Sequence, residues 1–365
     1  MRSIDRFRGC MIGGAAGDAL GYAVEFMSEK SIFNQYGSRG ITEYQLTGSV
    51  AQISDDTQMT LFTAAGLLHG ATRGVKGPWA GYIAQSYWDW LKTQTENYPL
   101  PGEERHSWLV DVPELFSRRA PGNTCLSALL SGETGSVAHP INHSKGCDGV
   151  MRVAPIGLYF NDRRVDIAEV DRVGAEAAAI THGHPLGYIP AAALVHIVHR
   201  LSQNDAPVAQ AIREAIDAMS AMWPPSEDMD WFTELMEKAL YLAARDVRDP
   251  DAICQLGEGW VGEEALAIAA YCAAKYPEDF DRAMIAAVNH SGDSDSTGAV
   301  AGNILGAHLG LSGIPEKYTD HLELKDVILE VADDLWHDCR IGAENRDADP
   351  EWEMKYFQNR RPPRV

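Results

Sequence analysis

Apolar residues recur at helical spacing along almost the whole chain. Residues 56–73 and 78–95 place them three and four positions apart, on one face of a helix. The same period runs through 164–181, 185–202, 206–221, 231–245, 262–275 and 278–289, and 323–343 reads as a last amphipathic helix. Three stretches stand apart. Residues 4–22 carry Gly13, Gly14, Ala15, Ala16 and Gly17, which allow close helix packing. Residues 186–198 are apolar on nearly every side, and 296–311 are small and apolar throughout, so both are expected inside the bundle. Strand signals are weak: Ile41 to Leu46 alternates and reads as a short extended piece in a loop. Loops are expected at 26–53, 99–107, 132–148 and 223–230, and Asn123 or Thr124 is expected to cap a helix. No long linker, internal repeat or break in composition divides the chain. The pattern predicts an all-α, compact single-domain helical bundle over 1–343, followed by a polar C-terminal tail, 344–365.

Composition adds limits. The 365 residues suffice for one large core. A net charge of −21, from 52 acidic and 31 basic residues, repels phosphate backbones and anionic membranes, which speaks against general nucleic-acid or membrane binding. The six cysteines (Cys10, Cys125, Cys147, Cys254, Cys272 and Cys339) show no CxxC or zinc-like spacing and read as reduced core thiols. No uncharged apolar run approaches the ~20 residues of a spanning helix. The N-terminus is a poor signal peptide because Asp18 interrupts its apolar run. A cytoplasmic location is expected.

Three clusters carry candidate chemistry: Ser54-Asp55-Asp56-Thr57, Asp293-Ser294-Asp295-Ser296-Thr297, and Gly17-Asp18-Ala19-Leu20-Gly21 with Glu25. Helix capping is the ordinary reading of the first, since serine and aspartate accept hydrogen bonds from N-terminal amides. It is weaker for the second, which leads into a helix with almost no polar face. Paired carboxylates there repel each other, and a divalent cation relieves both burial and repulsion. Hard cations take oxygen ligands, and the two clusters together offer four carboxylates with hydroxyls beside them, a set suited to two metals. An EF-hand loop is excluded: counted from Asp293, the twelfth position is Ile304 rather than glutamate.

From about residue 5 to 312 the chain resembles the ADP-ribosylglycohydrolase family. The likeness rests on Gly17-Asp18-Ala19-Leu20-Gly21 with Glu25, Ser54-Asp55-Asp56-Thr57, Gly146-Cys147-Asp148-Gly149-Val150-Met151-Arg152, Thr181-His182-Gly183-His184-Pro185 and Asp293-Ser294-Asp295-Ser296, in that order. It implies a helical bundle of that family's type with two Mg²⁺ or Mn²⁺ ions. By position their ligands are Ser54, Asp55, Asp56, Asp293, Asp295 and Ser296. It further implies that Glu25, Asp55 and Asp56 serve catalysis. Gly146, Cys147, Asp148, Gly149, Val150 and Met151, with His182 nearby, are implied to meet ADP-ribose. Two positions depart from the family pattern: Asp148 stands where a small residue is common, and Ser296 replaces threonine.

Arg152 is expected to pair with a buried acid or with a diphosphate. Trp79, Trp88, Trp90 and Trp108 are expected mostly in the core, with a stacking face for adenine as the alternative. The leading function is a metal-dependent hydrolase that releases ADP-ribose from a modified protein side chain, with arginine favoured. Serine, ADP-ribosyl-guanidine and a modified nucleic-acid base are the other linkages considered. A second reading is an immunity or binding protein that neutralises an ADP-ribosylating toxin, and a third an unrelated two-metal phosphohydrolase. Expected partners are an ADP-ribosylated protein and a cognate transferase or toxin.

Overall fold

A computed structural model describes residues 3–74, 77–102, 104–161, 165–339 and 349–363. The helices follow in order: α1 (Ile4–Tyr22), α2 (Glu29–Tyr36), α3 (Asp55–Thr72), α4 (Trp79–Thr95), α5 (Asn123–Leu130), α6 (Ala154–Tyr159), α7 (Ile167–Ala179), α8 (Pro185–Asn204), α9 (Val208–Met222), α10 (Glu227–Ala243), α11 (Asp249–Ile253), α12 (Gly262–Lys275), α13 (Phe280–Val288), α14 (Ser294–Leu309), α15 (Lys325–His337) and α16 (Pro350–Trp352). Among the described residues there is no strand, only three isolated bridges. No helix among them is long and apolar enough to cross a membrane.

These three stretches form the centre. α8 is buried from Leu186 to His199 and touches α6, α7, α9, α10, α12 and α14. α1 makes its most extensive contact with α14, and glycine is the reason. Gly9, Gly13, Gly17 and Gly21 recur every four residues on α1 and face Gly306, Gly302, Gly298 and the start of α14. A Cβ on Gly17 would come within 2.0 Å of the Gly298 carbonyl oxygen, and one on Gly302 within 1.9 Å of that of Gly13. Only hydrogen fits along this seam, so the two backbones touch. The last contact, Gly21 against Ser294 and Asp295, reaches the acidic residues that open α14.

Several elements differ from the sequence expectation. The loop 26–53 contains α2, begun by Ser28, which accepts the Ser31 amide. Within that loop, Ile41 to Leu46 has no strand partner among the described residues. Instead the Asn289 side chain takes both backbone groups of Ile41, accepting its N–H at 2.7 Å and donating to its carbonyl at 2.9 Å. α5 starts at Asn123, so its cap is Gly122 and neither Asn123 nor Thr124. The predicted last helix stops at His337, where Asp338 turns into a left-handed conformation at φ 63°; residues 340–343 lie outside the described residues. Described residues of the expected polar tail carry apolar anchors: Trp352 and Tyr356, one helical turn apart, join the core. Trp352 Nε1 donates to Thr72 Oγ1 at 3.0 Å, and Lys355 Nζ lies 2.6 Å from Asp334 Oδ2. All six cysteines are free; Cys254 is exposed and Cys339 half-buried, so these two are not core thiols.

Candidate active site

Asp18 organises the first half of the site. It is fully buried on α1, between the glycines that face α14. Its Oδ1 accepts the Ser54 amide at 2.9 Å, and its Oδ2 accepts the Thr57 amide at 3.1 Å together with the Thr57 hydroxyl. Three donors at the start of α3 therefore end on one carboxylate. Arg119 and Glu323 brace the residue before it. Arg119 Nη1 donates to the Ile53 carbonyl at 2.9 Å, and Glu323 Oε2 accepts the Ile53 amide at 3.1 Å. Ser54 is the cap, its hydroxyl accepting the Asp56 amide at 3.2 Å. Asp55 and Asp56 are thus released from capping. Asp55 Oδ2 accepts the Gly122 amide at 3.3 Å, whereas the buried Asp56 Oδ2 has no partner.

The second half opens α14. Asp293 caps it, accepting the Ser296 amide at 3.2 Å. Asp295 Oδ1 accepts the same amide at 3.0 Å. Cys147 Sγ donates to Asp293 Oδ2 at 2.7 Å, and Ser296 Oγ faces Met151 Sδ at 3.9 Å. The fold thus brings the Gly146–Met151 segment to the two acidic clusters, although 237 residues separate Asp56 from Asp293. Glu25, one turn beyond α1, joins them with a buried Oε2 that has no partner.

Burial and crowding of like charge set the electrostatics. Burial, then Asp293, pushes the Glu25 carboxyl up to about 8. Burial raises Asp18 to about 6, against the opposing pull of its hydrogen bonds. Asp55, Asp56 and Asp295 lie well above the usual range, through burial first and then through Asp148, Asp18 and Asp56 respectively. Asp293 is raised by burial too. Unpartnered buried carboxylate oxygens that repel one another are what a divalent cation with oxygen ligands neutralises. The six residues expected from the sequence fit that chemistry: each is at most 4% exposed, and Asp56 retains a free oxygen.

Asp148 behaves differently. Burial pushes its carboxyl up, but the His182 ring and the charge of Arg152 more than offset this and hold it below the usual range. His182 Nε2 lies 3.3 Å from Asp148 Oδ2, at ion-pair distance but bent from hydrogen-bond geometry. The ring is fully buried, and its Nδ1 meets Thr181 Oγ1 at 2.9 Å. That hydroxyl also accepts from Arg152 Nη2 at 2.6 Å. Arg152 itself is buried over the Tyr87 ring at 4.3 Å. Both expectations for Arg152 are corrected: among the described residues it makes no ion pair with an acid, and it points into the core, where Cys125 Sγ, Thr181 Oγ1 and the Ala177 carbonyl take its donors.

Two further groupings were not legible in the sequence. Cys125, Asp148 and His182 bring three ligand-type atoms within 4.8 Å of one another. Arg152 Nη1 sits 3.2 Å from Cys125 Sγ, so a fixed positive charge occupies the side a cation would need. The aromatic rim is also new. Trp90 and Trp108 are fully buried, Trp79 packs edge-on against Tyr159 and Phe160, and Trp88 lies against the core. Trp260 instead stands at the site, its carbonyl accepting the Cys147 amide at 3.3 Å. Its ring stacks on the exposed Phe26, with centroids 6.0 Å apart and planes 17° from parallel. An exposed aromatic next to Glu25 was the available signal.

Comparison with known proteins shows the family. The chain is 26% identical over 329 residues to the ADP-ribosyl-[dinitrogen reductase] glycohydrolase of Rhodospirillum rubrum, covering 88% of this chain and 91% of that protein. It is 25% identical over 355 residues to the ADP-ribosylhydrolase ARH3 of Mus musculus, covering 88% of each. A solved structure, an ADP-ribosylglycohydrolase-related protein complex, shares the fold, with a TM-score of 0.65 at 21% identity over 92% of this chain and 98% of that one. The family model described as ADP-ribosylglycohydrolase matches residues 1–344, and the chain therefore belongs to this family of hydrolases acting on ADP-ribosyl glycosidic bonds.

Proposed function

We propose that this protein releases ADP-ribose from a modified protein side chain, arginine first, and depends on two Mg²⁺ or Mn²⁺ ions. The observation that carries the reading is the convergence of Glu25, Asp55, Asp56, Asp293 and Asp295, all buried and all raised, with free oxygens on Glu25 and Asp56. The ions would be held by Ser54, Asp55, Asp56, Asp293, Asp295 and Ser296. Bound there, such ions orient hydroxyl groups and stabilise developing negative charge. The Rhodospirillum rubrum relative is named for ADP-ribosyl-dinitrogen reductase, which supports a protein-linked substrate.

Cleavage of a ribosyl bond passes through an oxocarbenium-like transition state, so a proton for the leaving group and a base for water are the needs. Glu25, buried in this cluster with an unpartnered Oε2, suits the acid role. Asp56, with its free Oδ2, suits the base role in the same cleft. The loop 146–151 lays backbone and Cys147 along the acidic floor, where it would meet the ribose and diphosphate. The exposed Trp260–Phe26 pair offers a flat face to adenine.

The test is release of ADP-ribose from arginine- and serine-modified peptides, with Mg²⁺ or with EDTA. Metal-dependent release that Asp55→Ala and Asp295→Ala abolish is the expected result. Release unaffected by EDTA, or none from either peptide, overturns the reading.

A further inference from the structure

We propose that one buried water ties Asn303 to Asp56, so that Asn303, two helical turns below the acidic floor, is a positioning residue for that carboxylate. The role given to Asp56 rests on the hydrolase reading above; the water does not.

Space is the first argument. A cavity of about 10 Å³ lies between α1, α3, α14 and α15, with Gly14, Asp56, Thr57, Thr60, Ala299 and Asn303 in its wall. Helical spacing puts it there. Asp295, Ala299 and Asn303 recur every four residues on α14, and Asp56 and Thr60 do so on α3. Each set shares one face of its helix and runs from the acidic floor into the core. The volume is about what a single water requires, roughly 10–15 Å³.

Unmet hydrogen bonding is the second argument. Asn303 Oδ1 and Asp56 Oδ2 are both buried and have no partner among the described residues. Asn303 is 1% exposed and Asp56 3%. The Asn303 amide is fixed in place: its Nδ2 donates to the Cys10 carbonyl on α1 at 2.9 Å. Glycine makes the room, since a Cβ on Gly14 would come 2.1 Å from that nitrogen. With Nδ2 held by Cys10, Oδ1 is turned away from that carbonyl.

The third argument is the kind of group the wall requires. The Thr60 hydroxyl donates to the Met151 carbonyl at 3.3 Å, and the Thr57 hydroxyl donates to Asp18. Their single protons are committed, so these hydroxyls offer the cavity lone pairs only. A wall of acceptors needs a small donor with two protons, which is water. It gives one proton to Asn303 Oδ1 and the other to the Asp56 carboxylate. Rotation of that carboxylate is then restrained from the core side. A carboxylate oxygen accepts more than one such contact, so Asp56 keeps lone pairs for the cleft.

The test joins a crystal structure that orders water to Mn²⁺ titration by electron paramagnetic resonance. One water should lie within hydrogen-bonding reach of Asn303 Oδ1 and the Asp56 carboxylate, with Mg²⁺ or with EDTA. Ala299→Val fills the cavity with carbon, whereas Ala299→Ser puts a hydroxyl in the water's place. Loss of a hydrogen-bonding partner behind a metal ligand typically weakens metal binding about 10–100-fold. Ala299→Val and Asn303→Leu should each lose Mn²⁺ affinity by about that factor, with Asp56 turned in the crystal. Ala299→Ser should bind Mn²⁺ as the unaltered protein does, which a purely structural role would not explain. If valine overpacks the core and the variant does not fold, Asn303→Leu, close in size, carries the comparison. A dry cavity in the unaltered protein overturns the proposal, as do folded valine and leucine variants with full Mn²⁺ affinity. An unaltered protein that binds no Mn²⁺ removes the metal reading alone. The water and the orientation of Asp56 in the crystals then decide this one.

Discussion

Asp18 Oδ2 receives both the backbone N–H of Thr57, at 3.1 Å, and its hydroxyl, so one buried carboxylate on α1 fixes the first turn of α3. The same carboxylate holds the Ser54 amide at 2.9 Å. α1 also meets α14 along glycine, with Gly21 against Asp295. A single helix therefore sets the distance between the two acidic clusters.

Asp18→Ala should disable the site without touching any proposed ligand. It strands two amides and a hydroxyl in a buried place, at roughly 1–3 kcal/mol for each unpaired donor. Chemical denaturation should show that loss. A Mn²⁺ titration followed by electron paramagnetic resonance should show weaker binding, because Asp55 and Asp56 lose their fixed orientation. Thr57→Val removes only the hydroxyl and should fall between the variant and the unaltered protein. Unchanged Mn²⁺ affinity in Asp18→Ala would confine Asp18 to stability.

Gly302→Ala tests the seam. Its Cβ would meet the Gly13 carbonyl at 1.9 Å, with backbone on both sides and no flexible side chain to yield. Overpacking of a tight core typically costs about 1–3 kcal/mol and sometimes more. Denaturation should place the variant at or above the upper end of that range. Gly81→Ala, where nothing lies within 4 Å of the added carbon, is the control and should be neutral or mildly stabilising.

Much of this was legible in the chain. The period of apolar residues located α8 and α12, and a run of small residues located α1, to within two residues at each end. The acidic pairs before Thr57 and Thr297 marked the two helix starts that converge. What was not legible depends on contacts between distant residues. Nothing local to Asp148 announces that Gly122 and Gly146 flank it. Nothing local to Asp18 distinguishes a clamp from a ligand. The sequence around Trp260 does not say that its ring stacks on Phe26 while Trp90 and Trp108 lie inside the core.

The acidic centre should also give the metal-free protein an inverted pH response. In the folded state Glu25 titrates at about 8 and Asp18 at about 6, against unfolded values near 4. Between those limits the folded chain holds protons that the unfolded chain has released. Stability is then fully present below about pH 4 for these groups and is lost as pH rises through about 6 and about 8. Thermal melts in EDTA should show the midpoint falling across that window. Mg²⁺ should flatten the curve, since a bound cation stabilises the ionised carboxylates in the protons' place. Glu25→Gln should remove the upper part of the slope in EDTA. A midpoint that rises with pH in EDTA would contradict the assignment.

The segment after residue 349 should matter for stability despite its polar composition. Trp352 and Tyr356 are buried, and Tyr356 OH and Lys355 Nζ both lie 2.6 Å from Asp334 Oδ2. Arg73, just past α3, donates to the Tyr356 carbonyl at 2.7 Å, and Asn359 meets His69 within α3 at 3.0 Å. The segment thus ties α15 to the end of α3 that lies away from the site. Trp352→Ala opens a cavity of indole size, for which about 3–5 kcal/mol is typical. Lys355→Met leaves the buried Asp334 carboxylate without its cation, though Tyr356 still donates to it, so a smaller loss is expected. Neither change lies near Asp56 or Asp295. Each should lower the denaturation midpoint while leaving Mn²⁺ affinity of the folded protein as it was. A loss of Mn²⁺ binding by folded Trp352→Ala would instead mean that the far end of α3 controls how its first turn is held.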